Sequence, residues 1–230
     1  MIEAKGVSLR YPDGTLALKD IDLEIDTGEL VYITGPSGSG KTSLLKLLMG
    51  IEYPTSGSLN VMGQPIAKGQ EGNIRRLRKG IGPVFQEFRL IQGRTALENV
   101  MMGIRFLGLP YRQAKENAQG ALARLGLEHK ALSMVENLSW GEAQRIAIAR
   151  AVARKPRLIM ADEPTGNLDH DNALIILDLL TSFRDTNTTV IITTHATHLI
   201  ERKENATFIR MNGGNISVER RGKAYEKCLV

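Results

Sequence analysis

Gly35-Pro36-Ser37-Gly38-Ser39-Gly40-Lys41-Thr42 is the stretch on which the reading of this chain turns. It fits the pattern G-x-x-x-x-G-K-[ST] in full, follows the short apolar run Leu30-Val31-Tyr32-Ile33, and opens the helical pattern Thr42 to Met49, which stops at Gly50. Strand, glycine loop, helix is the order that phosphate binding requires. Glycines let backbone N–H groups converge on phosphate oxygens, and the helix N-terminus adds partial positive charge. Lys41 then reaches the β- and γ-phosphates, and the Thr42 hydroxyl is offered to Mg²⁺.

A nucleotide loop of this kind needs a carboxylate for the metal and a base for the attacking water. Leu158-Ile159-Met160-Ala161-Asp162-Glu163 ends an apolar strand with both. Ligands collect at the C-terminal ends of strands in open α/β sheets, which makes Asp162 the candidate metal ligand and Glu163 the candidate base. Further short apolar strands are expected from Gly82 to Phe85 and from Val190 to Thr194, each short enough for a buried parallel sheet.

Ahead of the glycine loop the pattern differs. Val7 to Tyr11 and Ile21 to Ile25 alternate about the turn Pro12-Asp13-Gly14, which predicts an antiparallel, half-exposed start. Between Phe85 and Arg157 the pattern is almost wholly helical, with Ala114, Ala118, Ala121, Leu122 and Leu125 on one stripe. Ser139 and Glu142 form a capping box before a helix expected over Ala143 to Ala153. That box reads either as an ordinary cap or as an anion-binding helix end that presents the Ser139 hydroxyl and the Gly141 N–H. From Gly213-Gly214 onward the chain turns polar and is expected to fray.

Composition narrows the class. With 24% charged and 5% aromatic residues in 230, the chain is globular rather than disordered, and its apolar runs are too short for a membrane span. The early acid Glu3 and the lack of an apolar stretch after it predict no secretory leader, and the single cysteine, Cys228, suits a reducing, cytoplasmic compartment. The net charge of +5 could serve nucleic acid, anionic lipid or a phosphorylated ligand. Its densest cluster, Arg75-Arg76-Leu77-Arg78-Lys79, reads as a solvated helix face, and without interleaved aromatics no nucleic acid is expected as a partner.

Taken in order, the glycine loop, Gln86 after a strand, Leu138-Ser139-Trp140-Gly141-Glu142 leading into Gln144 to Ala151, Asp162-Glu163-Pro164-Thr165 and His195 resemble the ABC-type ATPases over nearly the whole chain. The resemblance implies an α/β fold: a P-loop NTPase parallel-sheet core, an N-terminal antiparallel β subdomain and an inserted helical subdomain near 87–155, all in one ATP-binding domain over 1–230. It implies ATP and Mg²⁺ as ligands and ATP hydrolysis as the activity. ATP would be held by Tyr11 stacked on adenine, by Gly35, Pro36, Ser37, Gly38, Ser39, Gly40, Lys41, Thr42 and Ser43, and by Ser139, Gly141, Glu142 and Asp169. Thr42, Gln86 and Asp162 would serve the metal, with Glu163, His195 and Gln86 catalytic. It also implies a head-to-tail homodimer that sandwiches two nucleotides, each between Lys41 of one copy and Ser139 of the other.

Three positions depart from the family's usual residues: Trp140 and Ala143, where glycine and glutamine are common, and Ala196, where aspartate follows the histidine. If position 140 needs φ > 0, a side chain there costs about 1–2 kcal/mol. These departures bear on turnover and dimer affinity rather than on nucleotide binding. Gln86-Glu87-Phe88-Arg89-Leu90-Ile91 is similar to the corresponding segment of a bacterial cell-division branch of the family, which works with a separate integral membrane protein. That similarity implies a subunit peripheral on the inner face of the bacterial plasma membrane. Energy subunits for lipoprotein release or for peptide or macrolide export are the alternative, as is a scaffold that dimerises on ATP without hydrolysing it. A DNA-maintenance ATPase is disfavoured because no long heptad insertion is present.

Overall fold

The computed structural model describes residues 1–166 and 168–222; Cys228 lies outside the described residues. The chain divides into two compact units, Met1–Arg78 together with Arg184 onward, and Lys79–Phe183.

The first unit begins with β1 (Ile2–Arg10), β2 (Leu16–Ile25), β3 (Leu30–Thr34), α1 (Lys41–Leu48), β4 (Ser56–Val61), β5 (Gln64–Pro65) and α2 (Glu71–Lys79). Strands β2-β1-β4-β5 form an antiparallel sheet in that order. Alternation explains it, because Leu18, Ile21, Leu23 and Ile25 are buried while Lys19, Asp22 and Glu24 face water. The step of three from Leu18 to Ile21 is taken by an irregularity at Asp20, whose φ of 45° re-aims the strand so that the apolar face stays inward. The expected antiparallel start is thus present and longer than the alternating segments alone indicated.

Strand β3 is buried at all five positions, the mark of a strand covered on both faces. Its partners come from the end of the unit. They are β8 (Thr189–Thr194), parallel with Leu30 opposite Val190, and β9 (Ala206–Asn212), parallel with Val31 opposite Thr207. Tyr32 stacks on Phe208 across that pairing, ring centroids 5.6 Å apart. Glu29, buried at the entry to β3, accepts from Asp26 N at 2.7 Å and from the Thr207 hydroxyl at 2.6 Å, so its carboxylate is satisfied where it lies. Over residues 213–222 the expected fraying is not what forms, while residues 223–230 lie outside the described residues. Asn215–Arg221 is a strand, β10, paired antiparallel with β9 over its whole length, because the two-glycine turn returns the chain in register.

The basic cluster is also more than a solvated face. Ile74 and Leu77 of α2 are buried, and the Arg78 guanidinium donates to Met49 O at 3.2 Å and Gly50 O at 2.7 Å, satisfying carbonyls at the end of α1.

The second unit holds the parallel pair β6 (Ile81–Val84) and β7 (Leu158–Asp162) with four helices: α3 (Ala96–Ile104), α4 (Tyr111–Arg124), α5 (Trp140–Val152) and α6 (His170–Thr181). Between Phe85 and Arg157 the chain is helical over α3, α4 and α5 as expected; residues 85–94 are irregular, and the connections 105–110, 125–139 and 153–157 carry 3₁₀ turns or no regular helix. Helix α5 is the centre of the unit. It packs against α3, α4 and β6, and Ile146, Ala147, Ile148, Ala149, Ala151 and Val152 are all buried. A Cβ built on Gly103 of α3 would stand 2.7 Å from Arg150 O, so the missing side chain is what lets α3 approach α5 this closely.

Candidate functional site

In the first unit, the loop from Gly35 to Gly40 leaves β3 and enters α1 with Gly40 as N-cap in a left-handed conformation, φ 105°. Gly35 has φ 151°, and a Cβ there would lie 2.3 Å from Met211 O. The backbone therefore runs bare where a ligand's oxygens would meet N–H groups. The loop shows two signs that it is shaped for an anion. Lys41, buried at the first turn of α1, turns its ammonium back onto the loop and donates to Gly35 O at 2.8 Å and Pro36 O at 3.1 Å. The Ser39 hydroxyl is buried with no hydrogen-bond partner. A buried polar atom without a partner costs about 1–3 kcal/mol, a cost that a phosphate oxygen in the loop would remove.

Tyr11 is half-buried just after β1 and its hydroxyl meets Ser43 Oγ at 3.1 Å, which places the ring beside the start of α1. His195 follows β8 and is exposed. It lines, with Thr34, Gly35, Pro36, Phe208 and Arg210, a cavity of about 520 Å³. The unit thus gathers Tyr11, the glycine loop, Lys41, Thr42, Ser43 and His195 around the C-terminal ends of β3 and β8.

The second unit carries the remaining candidates. Asp162 is the last residue of β7 and half-buried, and Glu163 follows it with φ 45°, a conformation that costs a branched or bulky side chain energy and that surroundings must enforce. The enforcing contact is visible: the amide of Gln144, buried in α5, donates to Pro164 O. Gln86 is exposed one residue past Phe85, and a Cβ built on Gly166 would lie 3.8 Å from its Nε2, so the Gln86 amide faces the turn that follows Glu163. Helix α5 holds that segment too, since the Arg150 guanidinium donates to Phe88 O and to Arg89 O, the latter at 2.6 Å. Burial first, and the charge of Arg89 second, push the Arg150 pKa below its ordinary value. Sequence reasoning missed Gln144 and Arg150 as organisers. Their signal was a polar and a charged side chain among the Ile, Ala and Val residues of a helix that also carries Glu142 and Arg145.

At the head of α5 the capping box is complete. Glu142 N donates to Ser139 Oγ at 3.3 Å, and Ser139 N and its hydroxyl reach Glu142 Oε2 at 2.8 and 2.9 Å. Lys130 lies 3.0 Å from Glu142 Oε1. The Ser139 backbone N–H, with Lys130 and the Ser139 hydroxyl behind it, holds the Glu142 pKa down at about 2. The helix begins at Trp140, three residues ahead of the expected Ala143, because the residue after an N-cap is already helical. Trp140 therefore has no φ > 0 requirement, and the backbone cost attached to its side chain does not arise. A Cβ built on Gly141 in the same turn would meet nothing within 4 Å. Asp169 caps α6, accepting from Asn172 N at 3.0 Å and from its side-chain amide at 2.6 Å; the backbone bond leads in lowering its pKa.

Residues 18–166 match the family model described as ABC transporter. The cell division ATP-binding protein FtsE of Mycobacterium tuberculosis is 39% identical over 223 residues, covering 96% of this chain and 97% of that protein. The methionine import ATP-binding protein MetN 2 of Enterococcus faecalis is 40% identical over 187 residues, covering 81% of this chain and 54% of that protein. Among solved structures, the dimeric post-hydrolysis state of the ATP-binding cassette MJ0796 bound to ADP and Pi is similar with a TM-score of 0.85 and 33% identity, covering 96% of this chain and all of that one. Motifs, fold and relatives agree, and the chain belongs to the ABC transporter family as an ATP-binding cassette that hydrolyses ATP.

Proposed function

We propose that this ATPase is the counterpart of FtsE, working as an ATP-dependent homodimer with an integral membrane partner of the FtsX type in bacterial cell division, at the inner face of the plasma membrane. The observation that carries this reading is near-complete coverage by cell-division relatives, with the segment Gln86-Glu87-Phe88-Arg89-Leu90-Ile91 in keeping with it. Among the described residues no helix is long and apolar enough to cross a membrane.

In this reading the loop N–H groups and Lys41 hold the β- and γ-phosphates, and Tyr11 stacks on the base. Thr42, Asp162 and Gln86 would hold Mg²⁺, whose charge offsets that of the phosphates and polarises the γ-phosphoryl group. Glu163 accepts a proton from the attacking water, and His195 steadies the γ-phosphate. In the dimer, Ser139 and Gly141 of one copy face the nucleotide of the other. The Ser139 hydroxyl, which donates to Glu142 Oε2 in this structure, would then donate its hydrogen bond to a phosphate oxygen. Loss of the γ-phosphate removes the anion both helix ends share, and the dimer opens.

Coupling to the membrane partner is assigned to the stretch Glu87 to Met102. In support, Met101 and Met102 line an open cavity of about 470 Å³ with Arg94, Glu98, Leu109 and the exposed Tyr111. A charge reversal, Arg89→Glu, should reduce stimulation by the membrane partner far more than soluble ATPase activity; equal loss of both would contradict the assignment. The MetN relative favours a second reading, the energy subunit of a transporter. Co-purification from detergent-solubilised membranes separates them: an FtsX-like four-span protein supports the first, a transporter permease the second.

A further inference from the structure

Trp140 is half-exposed at the first position of α5, yet its ring is engaged. It meets Phe88 edge to face, ring centroids 4.7 Å apart and planes at 64°. Phe88 stands two residues past Gln86, in the irregular segment 85–94 that has no ladder or helix of its own to hold it. That segment is pinned instead from outside. Arg150 takes the carbonyls of Phe88 and Arg89, and the Arg89 guanidinium lies 4.3 Å from the centre of the Phe85 ring. Arg89 itself has φ 51°, a strained conformation that the neighbouring contacts must hold. The backbone is thus fixed after Phe88 by one end of α5, and the side chain of Phe88 is fixed by the other.

We propose that Trp140 is a positioning residue for Gln86. Its ring clasps Phe88 and so holds the Gln86 amide toward the turn after Glu163, while its own backbone belongs to the Ser139–Gly141 helix end. This rests on the functional reading above in one respect, that Gln86 serves the hydrolysis step. Three features separate a clasp from a packing contact. The ring is too exposed to be core, the partner lies in a segment without regular structure, and the anchor on the Phe88 backbone itself, Arg150, comes from the same helix, whereas Asn99 and Glu136 hold the segment only farther on, at Ile91 and Gly93. Any shift of the α5 end toward or away from an anion would therefore be felt at Gln86 through a direct ring contact. Without the clasp, the carbonyl anchors remain, but the Phe88 side chain and the turn of chain carrying Gln86 are released to other rotamers.

The test uses steady-state phosphate release by the full chain with Mg-ATP. Trp140→Gly and Phe88→Ala should each lower kcat about three- to tenfold, the factor expected for one aromatic pair, with KM for ATP unchanged. The double variant should be no worse than either single one, because both remove the same contact. Trp140→Phe should restore most of kcat. As Trp140 is the only tryptophan in the chain, its emission reads the contact directly, and Phe88→Ala should shift it in the folded protein. An active wild type whose kcat is indifferent to Trp140→Gly and to Phe88→Ala, or single effects that multiply in the double variant, would overturn the clasp and leave the functional reading intact. A wild type that releases no phosphate would overturn the functional reading, and this role with it.

Discussion

The two units prepare their share of the nucleotide chemistry by opposite means. In the first, the machinery is backbone: a loop whose glycines sit where side chains cannot, closed by one lysine folded back on its carbonyls. In the second it is side chains: Gln144 and Arg150 of α5 reach out to two loops that lack regular structure, and Ser139 caps the helix itself. A backbone site is intolerant of added atoms and indifferent to most side-chain identities around it. A side-chain site is tunable, because each contact can be removed alone.

That contrast can be broken from its strong end first. Lys41→Ala should reduce phosphate release by about 100-fold or more, since it removes the charge aimed at the transferring group, and calorimetry should show weakened Mg-ATP binding alongside. Retention of both would mean that the loop amides suffice. Gly35→Ala tests the backbone claim: with a Cβ 2.3 Å from Met211 O, the variant should lose about 2 kcal/mol or more and melt roughly 4–8 °C lower. An unchanged melting temperature would show that the loop yields more easily than its geometry implies.

On the other side, Gln144→Ala should strand Pro164 O and cost about 1–3 kcal/mol, visible as a lower denaturant midpoint. The smallest effect belongs to the α5 cap. Ser139→Ala should cost about 1 kcal/mol. The same cap has a pH signature. Glu142 is held at about 2 against an ordinary 4.5, so its contribution to stability is whole above pH 4.5 and is lost as pH falls toward 2. Thermal unfolding across that range should show a shallower acid decline for Glu142→Gln than for the wild type.

How much of this was legible beforehand follows the same division. The glycine loop, Asp162-Glu163 and the capping box are local patterns, written in consecutive residues, and the structure puts each on the element expected of it. The alternation of β1 and β2 was readable for the same reason. Strands β9 and β10 were not, because their pairing with β3 and with each other joins residues far apart in sequence, and the polar outer face of β10 imitates a loose tail. The grip of Gln144 on Pro164 and of Arg150 on Phe88 and Arg89 spans 20 to 62 positions and leaves no periodic trace. Trp140 was misjudged in the other direction. Its side chain looked like a backbone problem, whereas one residue past the cap it is ordinary helix with a ring free to contact Phe88.

The central claim is that this chain hydrolyses ATP through Glu163 while two copies grip the nucleotide. Phosphate release and size-exclusion chromatography of the wild type and Glu163→Gln, each with Mg-ATP, address it most directly. The account predicts steady release by the wild type, almost none by Glu163→Gln, and a dimer that persists only in the variant. Equal release by both proteins, or a Glu163→Gln chain that stays monomeric in saturating ATP, would contradict it.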